Sequence, residues 1–350
     1  MIGLRAALVL ALAAGMLGHC GRKPAPPPLP VAPVKAGPEI ALQTTPVPLD
    51  ASNPAKTTLE GFVFAGGIAI TSSETSRLHG LSDLAIAPDG GLAAVTDFGD
   101  LFQARLVLDA SGRLVGLTDG KLEGLKGPDG QPLQGKDRAD AEGLAILANG
   151  DRLISFERDH RIWLYPAAGG PPSPAPKPAT IFPYNEGLEA LAAYPAAGPD
   201  AYLAGGEEGE VWLCKLSAAC HALAPQQGPD FTWGLTAMAT FNGPAIATLN
   251  RGFDPIRGWR GIVRFVANPM TPAAKQVHIA TLHLDGSTTR DNYEGVALSS
   301  APSGATRIYL ISDDGGLPGQ RTLLMAFDWT APPPPPLAPS RKPRKPVHRR

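Results

Sequence analysis

The sequence predicts an all-β fold, a single β-propeller with six blades. Three observations support this. A motif of two apolar runs around an Asn-Gly or Asp-Gly turn recurs, with equivalent residues at 82, 142, 189, 236 and 294, about 47 to 60 apart. Periods of this order with several strands each are typical of propeller blades. Forty Gly and 38 Pro supply frequent turns, and beyond the first twenty residues no stretch keeps the 3.6-residue apolar period of a long helix.

The chain opens with Arg5 and the apolar stretch Ala6 to Leu17. This stretch is too short to span a bilayer and has the proportions of a signal-peptide core, so residues 1–20 are read as a signal peptide. Leu17-Gly-His-Cys20 has the form of a lipoprotein cleavage box, although His19 stands where a small residue is usual. The expectation is a lipid on Cys20 and an exported protein, periplasmic or on the outer membrane, tethered to a membrane. Ordinary cleavage nearby is the other reading. Residues 21–55 contain nine prolines between Pro24 and Pro48 and read as a disordered, extended linker. Residues 331–350 hold five consecutive prolines and six Lys/Arg with no acid, and read as a disordered basic tail.

Between these segments lies one expected domain, 56–330. Net charge over the whole chain is −1, but the basic tail and the basic excess at 1–55 leave this block at about −9. An acidic block excludes a nucleic-acid platform, which needs a basic face, and suits cation binding.

The strands follow in order. Gly61-Phe-Val-Phe-Ala and Ile68-Ala-Ile precede the first repeat and should join the last blade. Blade one runs from His79 through Asp97, with a second hairpin turning at Ser111-Gly112. Blade two runs from Asp140 to Tyr165, and its Asn149-Gly150 turn is a strong hairpin signal because both positions need φ > 0. Gly169 to Lys177 reads as a loop. Blades three, four and five centre on Leu191–Leu213, Leu235–Val266 and Val296–Phe327. The N-terminal strands and Val277–Leu284 are assigned to a sixth blade. Cys214 and Cys220 flank a short turn between apolar runs, and in an exported protein this predicts a disulfide across a hairpin.

The repeat also locates the chemistry. The innermost strand of a blade lines the channel, and Glu142, Glu189 and Glu294 begin that strand in three blades. Asp83 is one place off in a fourth. Asp97, Glu157, Glu207 or Glu208, and Asp313 or Asp314 end the neighbouring strands. Crowded carboxylates repel unless neutralised, and hard oxygen donors select Ca²⁺. The candidate metal ligands are Asp140, Glu142, Glu157, Glu189, Glu294 and Asp313. Each acid could instead cap a backbone N–H. Arg158, Arg251 and Arg290 could clamp phosphate or pair with these acids, and His79 is a candidate base. Gly-x-Ser-x-Gly, His-Glu-x-x-His and phosphate-loop motifs are absent.

Asp140-Ala-Glu-Gly-Leu-Ala, Ser155-Phe-Glu-Arg158, Asn185-Glu-Gly-Leu-Glu-Ala-Leu, Asp291-Asn-Tyr-Glu-Gly-Val-Ala and Ile311-Ser-Asp-Asp314, in that order, resemble the phytase-like domain described as "esterase-like activity of phytase". The likeness covers roughly His79 to Phe327. It implies an exported β-propeller that hydrolyses phosphate esters or other esters. Two functions of different class follow. In the first, a metal-dependent hydrolase of small phosphate or ester substrates uses Glu142, Glu157, Arg158 and Arg251 catalytically. In the second, a non-catalytic envelope protein uses the same ring of acids as a structural or binding element.

Overall fold

The computed structural model describes residues 38–330 except 242, 317 and 318. Residues 1–37, read as a signal peptide with Cys20 and the first half of the linker, and residues 331–350, read as a basic tail, lie outside the described residues. Three strands come first: β1 (Gln43–Pro46), β2 (Thr58–Leu59) and β3 (Phe62–Thr71). Four antiparallel four-stranded sheets follow. Blade one is β4 (Leu81–Ile86), β5 (Gly91–Thr96), β6 (Asp100–Leu108) and β7 (Leu114–Gly124). Blade two is β8 (Ala141–Ile146), β9 (Arg152–Phe156), β10 (Arg161–Tyr165) and β11 (Ser173–Ala175). Blade three is β12 (Leu188–Ala193), β13 (Ala201–Gly206), β14 (Val211–Lys215) and β15 (Ala218–Ala222). Blade four is β16 (Trp233–Phe241), β17 (Ala245–Asp254), β18 (Gly258–Val266) and β19 (His278–Leu284). Blade five takes β20 (Asn292–Ser300), β21 (Thr306–Asp313) and β22 (Leu323–Trp329) from the end of the chain and β3 from its beginning. The first strands β4, β8, β12, β16 and β20 pack against one another around a central channel.

The propeller therefore has five blades, not the six expected. Residues 277–284 do not seed a blade, because His278–Leu284 pairs with β18 as the fourth strand of blade four. The N-terminal strands do not form one either. β3 pairs with β22, through contacts such as Leu324↔Ile68, and closes blade five as expected. The folded block also starts well before residue 56. β1 pairs with β3, Glu39 bridges Lys121, and Ile40, Val47 and Leu49 are buried. These apolar residues lie among prolines, which is why the segment reads as linker. A sheet edge tolerates proline because it needs no donor on its free side. The segment 169–177, read as loop, contains β11, which pairs Trp163 with Pro174.

The core lies between blades. One cluster joins Phe62 and Phe64 of β3 to Leu249, Phe265, Leu310, Phe327 and Trp329, so the closing strand is held by aromatic packing as well as by its ladder. Among the described residues no helix is long and apolar enough to cross a membrane. Cys214 and Cys220 form a disulfide, with Cα atoms 4.0 Å apart, between β14 and β15.

Candidate functional site

The channel mouth is built by one device used five times. Each first strand carries a β-bulge, and the extra residue in the five bulges is Ser82, Glu142, Glu189, Thr236 and Glu294. The ladders slip between Leu81 and Asp83, Ala141 and Leu144, Leu188 and Ala190, Leu235 and Ala237, and Tyr293 and Gly295. A bulge leaves one residue unpaired and re-aims its side chain. These are the five positions at which the sequence repeat aligns. On each partner strand, the residue that follows the one matched to the position just before the bulge forms a second tier: Asp97, Glu157, Glu207, Arg251 and Asp313. The blade with Thr236 in place of a bulged acid is the one that supplies Arg251.

Tight packing explains the glycine that follows two of the bulged acids. A Cβ on Gly143 would lie 2.8 Å from Glu189 O, Leu191 N and Ser155 Oγ, so only glycine lets blades two and three meet there. Its N–H donates to Ser155 Oγ at 2.8 Å.

One cavity of about 180 Å³ opens at this mouth. Its lining includes Asp140, Glu142, Glu157, Glu189, Glu294, Asp313, Arg158 and Arg251, so all six candidate metal ligands and two of the three candidate arginines face one space. It also includes residues not assigned from sequence, Lys136 and Asn185, and of the pair Glu207 and Glu208 only the former. Lys136 comes from the helical turn α1 (Lys136–Ala139), where nothing in the repeat marks it. Arg290 is elsewhere and donates to Arg257 O at 2.5 Å. His79 packs on Phe98, with ring centroids 4.4 Å apart. Asp83 turns away from the cavity and accepts the N–H of Leu84 at 2.8 Å and of Leu144 at 2.9 Å, so it ties blade one to blade two.

Eight carboxylates and three cations line the cavity. The cations are committed. Lys136 Nζ pairs with Asp97 at 2.6 Å and with Asp140 at 2.5 Å, and Arg158 Nε donates to Asp140 at 2.6 Å. Arg251 pairs with Glu294, with Glu207 at 3.2 Å, and with the Asn292 side chain at 3.2 Å. Glu142, Glu157 and Glu189 are 8%, 5% and 7% exposed. No cation or N–H donor among the described residues reaches them within bonding distance; the hydrogen-bonding neighbour of Glu142 is another carboxyl, Asp140. The uncompensated charge shows in their proton affinities. Burial, then the charges of Glu189, Asp140 and Glu294, push Glu142 well above the carboxylate range, and burial followed by Glu207 and Glu294 does the same to Glu189. Burial raises Glu294 to about 7 against the pull of Arg251. Burial, then Asp140 and Glu207, raise Glu157 to about 7. Burial raises Asp97 to about 6 despite Lys136.

Two trios of acids can each bring one oxygen within 4.8 Å of the others: Asp140, Glu142 and Glu157, and Glu142, Glu189 and Glu294. Glu142 belongs to both. Asp313 lines the cavity but joins neither; it accepts from Gly315 N at 2.5 Å and from Asn292 Nδ2 at 3.2 Å.

A family model described as "Esterase-like activity of phytase" matches residues 76–316. The chain belongs to this phytase-like family. The match spans all five bulged positions and both acid trios. No curated protein matches the chain. Among solved structures it is similar to the major Malassezia sympodialis allergen Mala s 1, at 11% identity over 78% of this chain and 91% of that one, with a TM-score of 0.43. It is also similar to a streptogramin B lyase, at 10% identity over 83% of this chain and 98% of that one, with a TM-score of 0.39. At such identities and scores neither likeness bears on function.

Proposed function

We propose that this phytase-like protein is a hydrolase of phosphate esters or other esters that works with divalent cations, Ca²⁺ by preference, at the acidic channel mouth. The observation that carries the reading is the set Glu142, Glu157 and Glu189: carboxylates more than nine-tenths buried, lining a cavity, with no cation or N–H donor to balance them. Burying unpaired charge is costly, and a donor set made of carboxylate oxygens fits a hard cation that accepts six to eight oxygens in loose geometry. Glu142 would be shared between two cations, with Asp140 and Glu157 on one side and Glu189 and Glu294 on the other. Such an ion supplies charge neutralisation at the ester and a more acidic bound water.

The chain's own groups do the rest. Released from its cation, Glu157 would take a proton from water as the general base; with no cation beside it, burial and the charges of Asp140 and Glu207 raise it to about 7. The water oxygen bonds to phosphorus or carbonyl carbon, the ester bond to the alcohol oxygen breaks, and the alcohol leaves with a proton. Arg158 spends Nε on Asp140 and Nη1 on Tyr184, which leaves Nη2 for an anionic oxygen. Arg251 is taken up by Glu207, Glu294 and Asn292, so it positions acids and does not clamp phosphate. Export supports the same picture: the signal-like N-terminus and the Cys214–Cys220 disulfide suit an oxidising compartment, with Cys20 as a membrane tether.

A second reading, a non-catalytic envelope scaffold, is favoured by Asp83, whose two hydrogen bonds show one acid of this ring fastening blades together. Turnover of 4-nitrophenyl phosphate and 4-nitrophenyl acetate, with Ca²⁺ and with chelator, decides between the two. Calcium-dependent turnover lost in Glu157→Gln supports the hydrolase. Calcium binding without turnover leaves the scaffold, and no calcium binding removes the metal-dependent mechanism.

A further inference from the structure

The three cations of the mouth share an arrangement that hydrolysis alone does not require. Lys136 Nζ, paired with Asp97 and Asp140, lies 5.2 Å from the centroid of the Phe98 ring. Arg158 Cζ, with Nε on Asp140, lies 5.2 Å from the ring of Tyr184. Arg251 Cζ, paired with Glu207 and Glu294, lies 5.5 Å from the ring of Trp259, which packs 4.8 Å from Phe253. Each cation thus has carboxylate on one side and an aromatic ring on another. Phe98 follows β5 of blade one, Tyr184 lies on the connection between blades two and three, and Phe253 and Trp259 belong to blade four; Phe98, Tyr184 and Phe253 are 42%, 59% and 50% exposed.

Apart from Arg158 Nη2, what the rim leaves unsatisfied is therefore apolar surface and not positive charge. A polyanion would meet eight carboxylates and cations already engaged. An apolar group beside the ester would cover rings that now face water. The rings stand outside the cavity's lining, against the cations that form part of it, and a small-molecule site combines apolar walls for the body of the ligand with a few polar groups for its orientation.

We propose that the substrate is amphiphilic: a single ester head enters the acidic mouth, and an aryl or alkyl body lies against Phe98, Tyr184, Phe253 and Trp259. The proposal rests on the site assigned above but not on its chemistry, so binding tests it apart from turnover.

The full-length protein, with Ca²⁺ present, is titrated by calorimetry with methylphosphonate, octylphosphonate and phenylphosphonate, which share a head and differ in body. The apolar pair should bind at least about tenfold tighter than methylphosphonate. The double variant Phe98→Ala/Phe253→Ala should lose most of that preference while its Ca²⁺ affinity, read in the same instrument, stays the same. Equal affinities, no binding by the apolar pair, or tighter binding of inositol hexakisphosphate than of either would overturn the proposal. Sedimentation with phosphatidylcholine vesicles adds one further outcome: ring-dependent vesicle binding without phosphonate preference would assign the rim to a lipid surface instead. If preference is present and no ester is turned over, the hydrolase reading fails and the amphiphile site stands.

Discussion

Raising the pH in the presence of chelator should destabilise this protein, the reverse of the usual trend on leaving acid. Burial lifts Glu294 from an ordinary 4.5 to about 7, so the folded chain keeps a proton that the unfolded chain has lost. A group raised in this way contributes stability that is complete below its unfolded value and is lost as pH climbs through the folded one. At about 1.4 kcal/mol per unit, Glu294 alone removes about 3 kcal/mol between roughly pH 4.5 and 8. Glu157, also lifted to about 7, and Glu142 and Glu189, lifted further, act in the same sense. Acids with lowered values, such as the hydrogen-bonded Asp50 and the exposed Asp109, gain their stability below about pH 5 and do not offset the loss. With about 2–4 °C per kcal/mol for a domain of this size, the melting temperature in chelator should fall by at least roughly 6 °C from pH 5 to pH 8. Calcium binds the ionised carboxylates, so saturating Ca²⁺ should flatten or invert the slope, by about 2.7 kcal/mol at a hundredfold excess over Kd. Scanning calorimetry across this range, with chelator and with Ca²⁺, reads both slopes. A chelated melting temperature that stays level or rises would refute the argument that burial holds these acids above their ordinary values.

Three substitutions probe the same construction. Glu142→Gln removes the charge shared by both trios, so it should stabilise the chelated protein by about 1–3 kcal/mol at alkaline pH and cut the Ca²⁺-dependent rise in melting. Urea titration with and without Ca²⁺ gives both numbers, and a uniformly less stable variant would contradict the reasoning. Asp83→Ala strands the N–H groups of Leu84 and Leu144 and should cost about 3 kcal/mol, seen as a lower urea midpoint. Gly143→Ala places a methyl 2.8 Å from three polar atoms at the junction of blades two and three and should cost at least about 2 kcal/mol. Because Glu142 is its neighbour, weaker Ca²⁺ binding should accompany that loss, and retention of wild-type affinity would separate bulge geometry from the ion site.

Much of the site was legible in the sequence because it is written in the repeat. The bulge places one residue per blade at the mouth, and a gap-free comparison finds the same five positions without any knowledge of bulges. The disulfide hairpin and the closure of the last blade by β3 were legible for similar reasons, each being a pairing of apolar runs. Blade number was not. Residues 278–284 look like the start of a new unit, but β16 to β19 form one hairpin series, and only pairing with β18 shows where the fourth strand belongs. The segment 38–55 was hidden by its prolines, although Val47 and Leu49, spaced as in a strand, signal one buried face. Lys136 was missed because a cation on a short turn outside the repeat acquires its role only when Asp97 and Asp140 are brought together in space.

The placement of β3 has a consequence for how the molecule comes into being. Its neighbour β22 lies about 250 residues further along the chain. While the protein is being made, Phe62 to Thr71 is a long apolar edge whose partner does not yet exist. Any polypeptide that stops short of Leu323 therefore carries an open ring and a sticky seam. The two ends of the chain act as the clasp on a bracelet, and the acidic mouth, which draws on all five blades, is complete only when that clasp is fastened.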